Sequence, residues 1–271
     1  MTTFRELRDN WQSLGSDDPL WAILSDPRTK GGKWSVREFL RTGEMEVDRI
    51  FSWLDEQGLT ALHHGHALDF GCGAGRLTQA LAKRFDLCTG VDVAASMLEA
   101  ARKLDPPQNC EFVLNERSDL SVFADGSFNF IYSSIVLQHI PHPFAIGYIA
   151  EFCRLLAPDG LLVFQIAIDK QVPPGHWLID LKQQIAARVA LRTRVRRMLG
   201  HPVPRPAARI EMHVVPAATV EQQLKRGGVD LKATGYTNSC DTAFNGNLQI
   251  SKEPRYYQYL LSGLFAGVKA R

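Results

Sequence analysis

The residues with the clearest capacity for chemistry are a run of glycines and an aspartate that lie at the ends of two apolar segments. The segment Ala67–Phe70 leads into glycines at positions 71, 73 and 75, and a helical pattern begins near Arg76. Glycine lets a loop turn tightly and lets a ligand approach the backbone, and a helix start offers unpaired N–H groups. A second segment, Leu87–Val91, ends in Asp92, whose carboxylate can accept hydrogen bonds from both ribose hydroxyls. The pattern predicts a nucleoside site.

The spacing of the glycines indicates which nucleoside cofactor fits. A dinucleotide-binding loop reads G-x-G-x-x-G, whereas Gly71, Gly73 and Gly75 read G-x-G-x-G. Arg76 stands where the third dinucleotide glycine would be. Asp69, two residues before the loop, would repel a pyrophosphate but suits a cofactor with an ammonium group. S-adenosyl-L-methionine carries that ammonium group and a ribose, so the residues favour it over NAD.

Composition restricts the class of protein. The chain has 271 residues and a formal net charge of +2, so no nucleic-acid partner is expected. Its five cysteines are scattered and form no C-x-x-C pair, which predicts reduced thiols and a cytoplasmic location. No apolar run is long enough for a membrane span, so no integral membrane association is expected. His63, His64 and His66 read as a polar turn, and no metal site is expected.

Strand and helix patterns alternate through the middle of the chain. The strand-like segments are Ala67–Phe70, Leu87–Val91, Glu111–Leu114, Phe128–Ser133, Leu161–Ile168, Leu231–Tyr236 and Leu260–Val268. Such alternation predicts a mostly parallel sheet with helices on both faces. Ligands bind at the carboxyl ends of the strands in sheets of this kind, and the glycine loop lies at such an end.

The two flanking regions predict helical additions. Residues 1–60 predict an N-terminal cap with helices starting near Phe4, Pro19 and Ser35, the last interrupted at Thr42-Gly43. Residues 170–210 predict a helical insertion over the substrate. Its helix Trp177–Leu199 is rich in arginine. Three interpretations stay open for this helix: a solvated face, a site for an anionic substrate, or docking on a membrane surface.

Four segments resemble the successive motifs of a known family. ALDFGCGAGRLTQALA, GVDVAASMLEAAR, FADGSFNFIYSSIVLQHI and RLLAPDGLLVFQI are similar to those of class I S-adenosylmethionine-dependent methyltransferases of the small-molecule "type 11" kind. The resemblance runs from Phe51 to Ile168. It implies an α/β, Rossmann-like, seven-stranded fold with a mostly parallel sheet and an antiparallel last strand. The methyltransferase domain would span 61–271, with a lid insertion at about 170–210 and the cap at 1–60.

The resemblance also implies site residues. Those expected at the cofactor are Asp69, Gly71, Cys72, Gly73, Gly75, Asp92, Val93, Met97, Glu116, Arg117, Ser134, Gln138 and Arg41. Those expected at the substrate are His139, His176, Trp177 and His213. Glu116-Arg117 departs from the family's usual Asp-Ala pair near the adenine. Met97 has an alternative interpretation as a core methionine, and Arg41 as a solvated arginine.

The implied reaction is methyl transfer to a small molecule. Such an enzyme holds donor and acceptor at attack distance and excludes water, and a hydroxyl acceptor also needs a base. His139 offers that base, so O-methylation of a secondary metabolite or sugar is the favoured prediction. The alternatives are N-methylation of an amine or an RNA base, and a non-catalytic module that only binds the cofactor. The segment Tyr132-Ser-Ser-Ile lacks the Asn/Asp-Pro-Pro-Tyr/Phe motif expected for amino groups of nucleic acids.

Overall fold

Nine strands form one sheet in a computed structural model that describes residues 3–59, 64–171, 208–241 and 244–270. The strands are β1 (His66–Phe70), β2 (Leu87–Asp92), β3 (Cys110–Leu114), β4 (Phe128–Ser133), β5 (Leu156–Lys170), β6 (Val229–Thr237), β7 (Ile250–Ser251), β8 (Tyr256–Tyr257) and β9 (Leu260–Lys269). All seven strands expected from the sequence are present, and the two-residue strands β7 and β8 are additional.

The order of the strands is β3-β2-β1-β4-β5-β9-β6-β7, with β8 paired to β9. Strands β1 to β5 run parallel, whereas β9 lies antiparallel between β5 and β6. This arrangement confirms the predicted fold class, including the antiparallel last strand. The chain leaves β1 toward β2 and β3 on one side and crosses back to β4 on the other, which creates a crevice at the carboxyl ends of β1 and β4.

Seven helices are described. Three precede the first strand of the sheet, and four follow in the connections between strands. They are α1 (Phe4–Asp17), α2 (Pro19–Ile23), α3 (Val36–Glu56), α4 (Arg76–Leu81), α5 (Ala95–Lys103), α6 (His142–Leu155) and α7 (Ala217–Arg226). Short 3₁₀ turns occupy Pro27–Thr29 and Leu137–His139. The hydroxyls of Thr3 and Ser35 accept N–H bonds at the starts of α1 and α3, and the helix start at Ser35 agrees with the prediction.

The predicted interruption at Thr42-Gly43 was wrong, because α3 runs unbroken from Val36 to Glu56. Gly43 allows α3 to approach α4 closely, since a Cβ at this position would lie 2.2 Å from the Arg76 carbonyl oxygen. The two helices are also joined by a fully buried ion pair in which Arg76 Nη2 lies 2.7 Å from Glu46 Oε2. A helix-weakening residue is therefore retained here for packing rather than for a break.

The predicted insertion lies largely outside the described residues. Residues 172–207, which include His176, Trp177 and the arginine-rich segment, are not described. Residues 60–63, which include His63, are not described either. Of the described neighbours of His63, His64 is exposed and His66 bonds the Thr89 hydroxyl at 2.7 Å. None of the helices within the described ranges is long and apolar enough to cross a membrane.

Candidate active site

A cavity opens at the carboxyl ends of β1, β2 and β4, where the topology creates the crevice. Its space, counted out to the open mouth, is about 760 Å³. The lining is mostly apolar and comes from α1, α2, α5, α6, the strand ends and the loops that follow them. The described lining residues are Phe4, Leu7, Trp11, Ala22, Ile23, Phe70, Gly71, Gly73, Val91, Asp92, Val93, Met97, Asn115, Ile135, Val136, His139, Ile140 and Tyr148.

The glycine loop forms one wall of the cavity in a conformation that other residues adopt with difficulty. Gly71 has φ +72° and Gly73 has φ +53°, both in the left-handed region. A Cβ on Gly71 would lie 2.5 Å from the Val136 side chain, and one on Gly73 would lie 2.6 Å from Ile23 Cδ1. The loop is thus packed from both sides, which explains why these two positions are glycine.

Asp92 joins the end of β2 to the glycine loop. Its Oδ2 accepts the Gly73 N–H at 2.9 Å and its Oδ1 accepts the Ala94 N–H at 2.9 Å, at the start of α5. Burial raises the pKa of Asp92, and the backbone N–H donors oppose that rise. A carboxylate has about four acceptor positions, so these bonds leave capacity for two ligand hydroxyls. The helix-start role and the predicted ribose role are therefore compatible.

The residue that lines the cavity after β3 is one position earlier than the pair Glu116-Arg117 that the sequence predicts. Asn115 lines the cavity and is buried, whereas the side chains of Glu116 and Arg117 are exposed and are not in the lining. Asn115 Nδ2 donates to the Asp119 carbonyl at 2.6 Å, which turns residue 115 inward. Glu116 instead pairs with Arg8 at 3.3 Å. The only sequence signal that Asn115 lines the cavity was its position directly after β3.

The N-terminal helices close the cavity from above. Phe4, Leu7 and Trp11 of α1 share one helical face and reach into it. An N-terminal segment over the cofactor was expected, but with Arg41 as its contact residue. Arg41 is exposed on α3 and is not among the described lining residues. The α1 residues were missed because their spacing is also that of an ordinary core-facing helix.

His139 lies in the 3₁₀ turn after β4 and lines the cavity. Its Nδ1 is 2.7 Å from the Glu211 carbonyl oxygen, which can only accept, so Nδ1 carries the proton. Its Nε2 is 3.2 Å from Gln138 Nε2 and acts as an acceptor. Burial lowers the pKa of His139 to about 4. The imidazole is therefore neutral at neutral pH, in contrast to the titration near 6.5 expected for an ordinary histidine.

His213 lies beside His139 but outside the described lining. Its backbone N–H donates to the Gln138 carbonyl at 2.7 Å, and its Nε2 is 3.6 Å from a Glu211 carboxylate oxygen. Burial lowers the pKa of His213. Of the other predicted substrate residues, His176 and Trp177 lie outside the described residues.

Several predicted cofactor residues lie behind the lining: Asp69, Cys72, Gly75, Ser134 and Gln138. Asp69 is fully buried and accepts the Thr78 hydroxyl at 2.7 Å. Burial raises the pKa of Asp69 to about 7, which weakens it as a permanent negative charge for an ammonium group. The cofactor contacts expected of these five residues stay predictions.

Comparison with known proteins agrees with the sheet and the glycine loop. Residues 68–164 match a family model described as a methyltransferase domain. A 2-methyl-6-phytyl-1,4-hydroquinone methyltransferase of Synechocystis sp. is 27% identical over 183 residues, 65% of this chain and 56% of that protein. A ubiquinone biosynthesis O-methyltransferase of Xanthomonas campestris pv. campestris is 33% identical over 104 residues, 38% of this chain and 43% of that protein. The chain thus spans about half the length of these curated relatives.

Solved structures share the fold over nearly the whole chain. The magnesium protoporphyrin IX methyltransferase of Synechocystis PCC 6803, solved with bound SAH, has a TM-score of 0.58 at 20% identity and covers 99% of this chain and 100% of its own. A phosphoethanolamine N-methyltransferase 2 of Haemonchus contortus has a TM-score of 0.59 at 14% identity, covering 100% of this chain and 61% of its own. Residues 68–164 thus match the methyltransferase domain, and the chain has the fold of S-adenosylmethionine-dependent methyltransferases.

Proposed function

We propose that this chain transfers a methyl group from S-adenosyl-L-methionine to a small-molecule acceptor. The observation that carries the proposal is the meeting of the glycine loop and Asp92 at one end of the cavity, with Gly73 N–H bound to the Asp92 carboxylate at 2.9 Å. The turns of the glycine loop and a carboxylate that can accept hydrogen bonds from a ribose thus lie side by side at the strand ends. The family of the matched domain supports the same cofactor.

The charge of the lining fits a sulfonium cofactor better than a pyrophosphate one. The described lining residues include no lysine or arginine, and Asp92 is their one carboxylate. A cofactor without phosphate needs no cationic clamp, and its positive centre is tolerated beside apolar and aromatic side chains. Asp92 would hold the ribose, while Met97 and Asn115 would flank the base.

The residues of the chain would hold the two reactants in position and keep water out of the cavity. The cofactor, when bound, supplies a methyl group on a positively charged sulfur. Phe4, Leu7 and Trp11 cover the cavity and restrict water, which favours attack by the acceptor over side reactions. In this proposal His139 faces the acceptor, because it lines the cavity at the end of β4.

The acceptor atom is proposed to be oxygen. Relatives that act on a hydroquinone and in ubiquinone biosynthesis support a small aromatic acceptor. Neutral His139 would exchange the bond that its Nε2 accepts from Gln138 for one from the hydroxyl, and Nε2 would take the proton as the new bond forms. Free cysteines at all five positions fit a reducing compartment, and we place the reaction in the cytoplasm.

A second candidate is an acceptor that is already anionic, such as a carboxylate. It is favoured by the pKa of His139, because a base with a pKa of about 4 removes a proton from an alcohol poorly. A carboxylate needs no base. One relative is named for a carboxylate acceptor: the trans-aconitate 2-methyltransferase of Deinococcus radiodurans. It is 36% identical over 106 residues, 38% of this chain and 38% of that protein.

The test is a methyl-transfer assay with methyl-labelled S-adenosylmethionine against separate pools of phenols, sugars, carboxylic acids and amines. Label in a phenol or sugar supports the first candidate, and label in an acid supports the second. Label only in amines overturns oxygen as the acceptor atom. Binding of the cofactor without transfer to any pool would favour a non-catalytic module.

A further inference from the structure

A buried glutamine stands behind the cavity at the centre of a polar network. Gln165 on β5 is 1% exposed. Its Oε1 accepts the Ile135 backbone N–H at 2.9 Å. Its Nε2 donates to Gln138 Oε1 at 2.9 Å and to Ser262 Oγ at 2.7 Å. All three bonds link Gln165 to other elements, so this one side chain connects β5, β9 and the segment after β4.

The direction of these bonds follows from one group that can only donate. The Ile135 N–H is a donor, so the Gln165 atom that faces it must be Oε1, and the amide nitrogen must point toward Gln138. Gln138 Oε1 then accepts this bond, together with the Cys240 thiol at 3.5 Å. The remaining Gln138 nitrogen faces His139 Nε2 at 3.2 Å. Each amide in this chain of bonds thus donates through its nitrogen, and Gln138 donates to His139 Nε2. This agrees with the proton of the imidazole lying on Nδ1.

Ile135 has a backbone conformation that its side chain disfavours. Its φ is +54°, in the left-handed region, where a β-branched residue is an outlier. The residue lines the cavity directly after β4. Its neighbour Val136 also lines the cavity and packs where a Cβ of Gly71 would be. The conformation at Ile135 thus determines how this segment meets the glycine loop.

We propose that Gln165 is a positioning residue that holds Ile135 in its left-handed conformation and so maintains the cofactor-binding shape of the cavity. Strained backbone persists only where surrounding contacts impose it, and the Gln165 Oε1 bond is such a contact at the strained residue itself. Without that bond, the segment relaxes to an ordinary conformation, and Val136 loses its place against Gly71. The inference rests on the proposed function, because it takes the cavity as the cofactor site.

The experiment measures the affinity for S-adenosylhomocysteine by calorimetry and the thermal midpoint of each variant. Gln165→Ala is made in three backgrounds: wild type, Ile135→Gly and Ile135→Ala. Glycine adopts a left-handed φ freely, whereas alanine keeps most of the penalty. We expect Gln165→Ala to raise the Kd about tenfold in the wild-type and Ile135→Ala backgrounds, and less than about twofold in the Ile135→Gly background. Both background variants lose the isoleucine side chain, so this comparison isolates the backbone.

A control separates positioning from stability. Ser262→Ala removes another bond of Gln165 without touching Ile135, so it should lower the thermal midpoint while the Kd stays within about twofold. Gln165→Met, which keeps the side-chain volume, replaces Gln165→Ala in every background where the alanine variant does not fold. An equal rise in Kd in all three backgrounds, or no rise in any, overturns the inference. If wild-type protein itself does not bind S-adenosylhomocysteine, the proposed function fails instead.

Discussion

Under the proposed function, the Asp92 side chain serves the fold and the ligand together. Its two oxygens each accept a backbone N–H, one from Gly73 in the glycine loop and one from Ala94 at the start of α5. The carboxylate therefore fixes the loop relative to the helix before any ligand arrives. This preorganisation lowers the ordering cost of binding, since the acceptor atoms are already in place.

Replacing Asp92 should weaken cofactor binding in a graded way. We expect Asp92→Ala to cost about 1–3 kcal/mol in S-adenosylhomocysteine affinity, because charged hydrogen bonds are lost and the loop is released. Asp92→Asn should cost less, since its amide oxygen still accepts a bond. Calorimetry measures both. Glu116→Ala is the matched acidic control and should leave the affinity unchanged; a comparable loss there would restore the adenine contact that the family resemblance implied.

The pH dependence of the rate tests the state of His139. Because its pKa is lowered to about 4 by burial, the imidazole stays neutral above about pH 5, and the titration of His139 should contribute no change in kcat/KM from there to about pH 8. Protonation should reduce the rate only on the acid side. The unfolded chain takes up a proton near pH 6.5 while the folded chain does not, so stability should also fall as pH drops from about 6.5 to 4. A rate that rises through pH 6.5 in the wild type, with the rise absent from His139→Ala, would contradict the neutral imidazole.

At the scale of elements, the contact between α3 and α4 ties the N-terminal helices to the glycine loop. Gly43 lies against the Arg76 carbonyl, and Arg76 forms a buried ion pair with Glu46. Arg76 is also the first residue of α4, directly after the loop. A shift of α3 would therefore be transmitted to the start of the helix that ends the loop.

Two glycine substitutions inside helices should have opposite effects on stability. Gly43→Ala should destabilise the protein by about 1–3 kcal/mol, because the new Cβ would lie 2.2 Å from the Arg76 carbonyl oxygen. Gly147→Ala on α6, where nothing lies within 4 Å of the new Cβ, should stabilise it by about 0.4–1 kcal/mol. Denaturant unfolding of the two variants provides the comparison. Equal effects would mean that helix propensity alone governs both sites.

The elements differ in how far the sequence predicts them. Strands such as Phe128–Ser133 were predicted with their observed bounds, because buried parallel strands read as short apolar runs between turn signals. The break expected at Gly43 was wrong, since the helix that demands the glycine is distant in sequence. Asn115 and the α1 face were not anticipated as cavity lining for the same reason. Contacts made across the fold leave little local pattern, whereas the glycine loop and Asp92 do.

At the scale of the whole molecule, the site is a consequence of topology. Strands β1, β2 and β4 are neighbours in the sheet although β3 intervenes in sequence between β2 and β4. Their parallel direction brings the glycine loop, Asp92 and the Ile135 segment to one edge, and α1 closes that edge from the N-terminal side. Under the proposed function, binding, positioning and exclusion of water thus belong to different parts of the chain that meet only in the fold.

The central claim is that this cavity is built for S-adenosylmethionine, and a calorimetric titration of the full chain with S-adenosylmethionine and with NAD tests it most directly. The account predicts saturable binding of one S-adenosylmethionine per chain and no heat of binding with NAD, because the lining offers a carboxylate and no described lysine or arginine for a pyrophosphate. Binding of NAD, or no binding of S-adenosylmethionine at millimolar concentration, would contradict it.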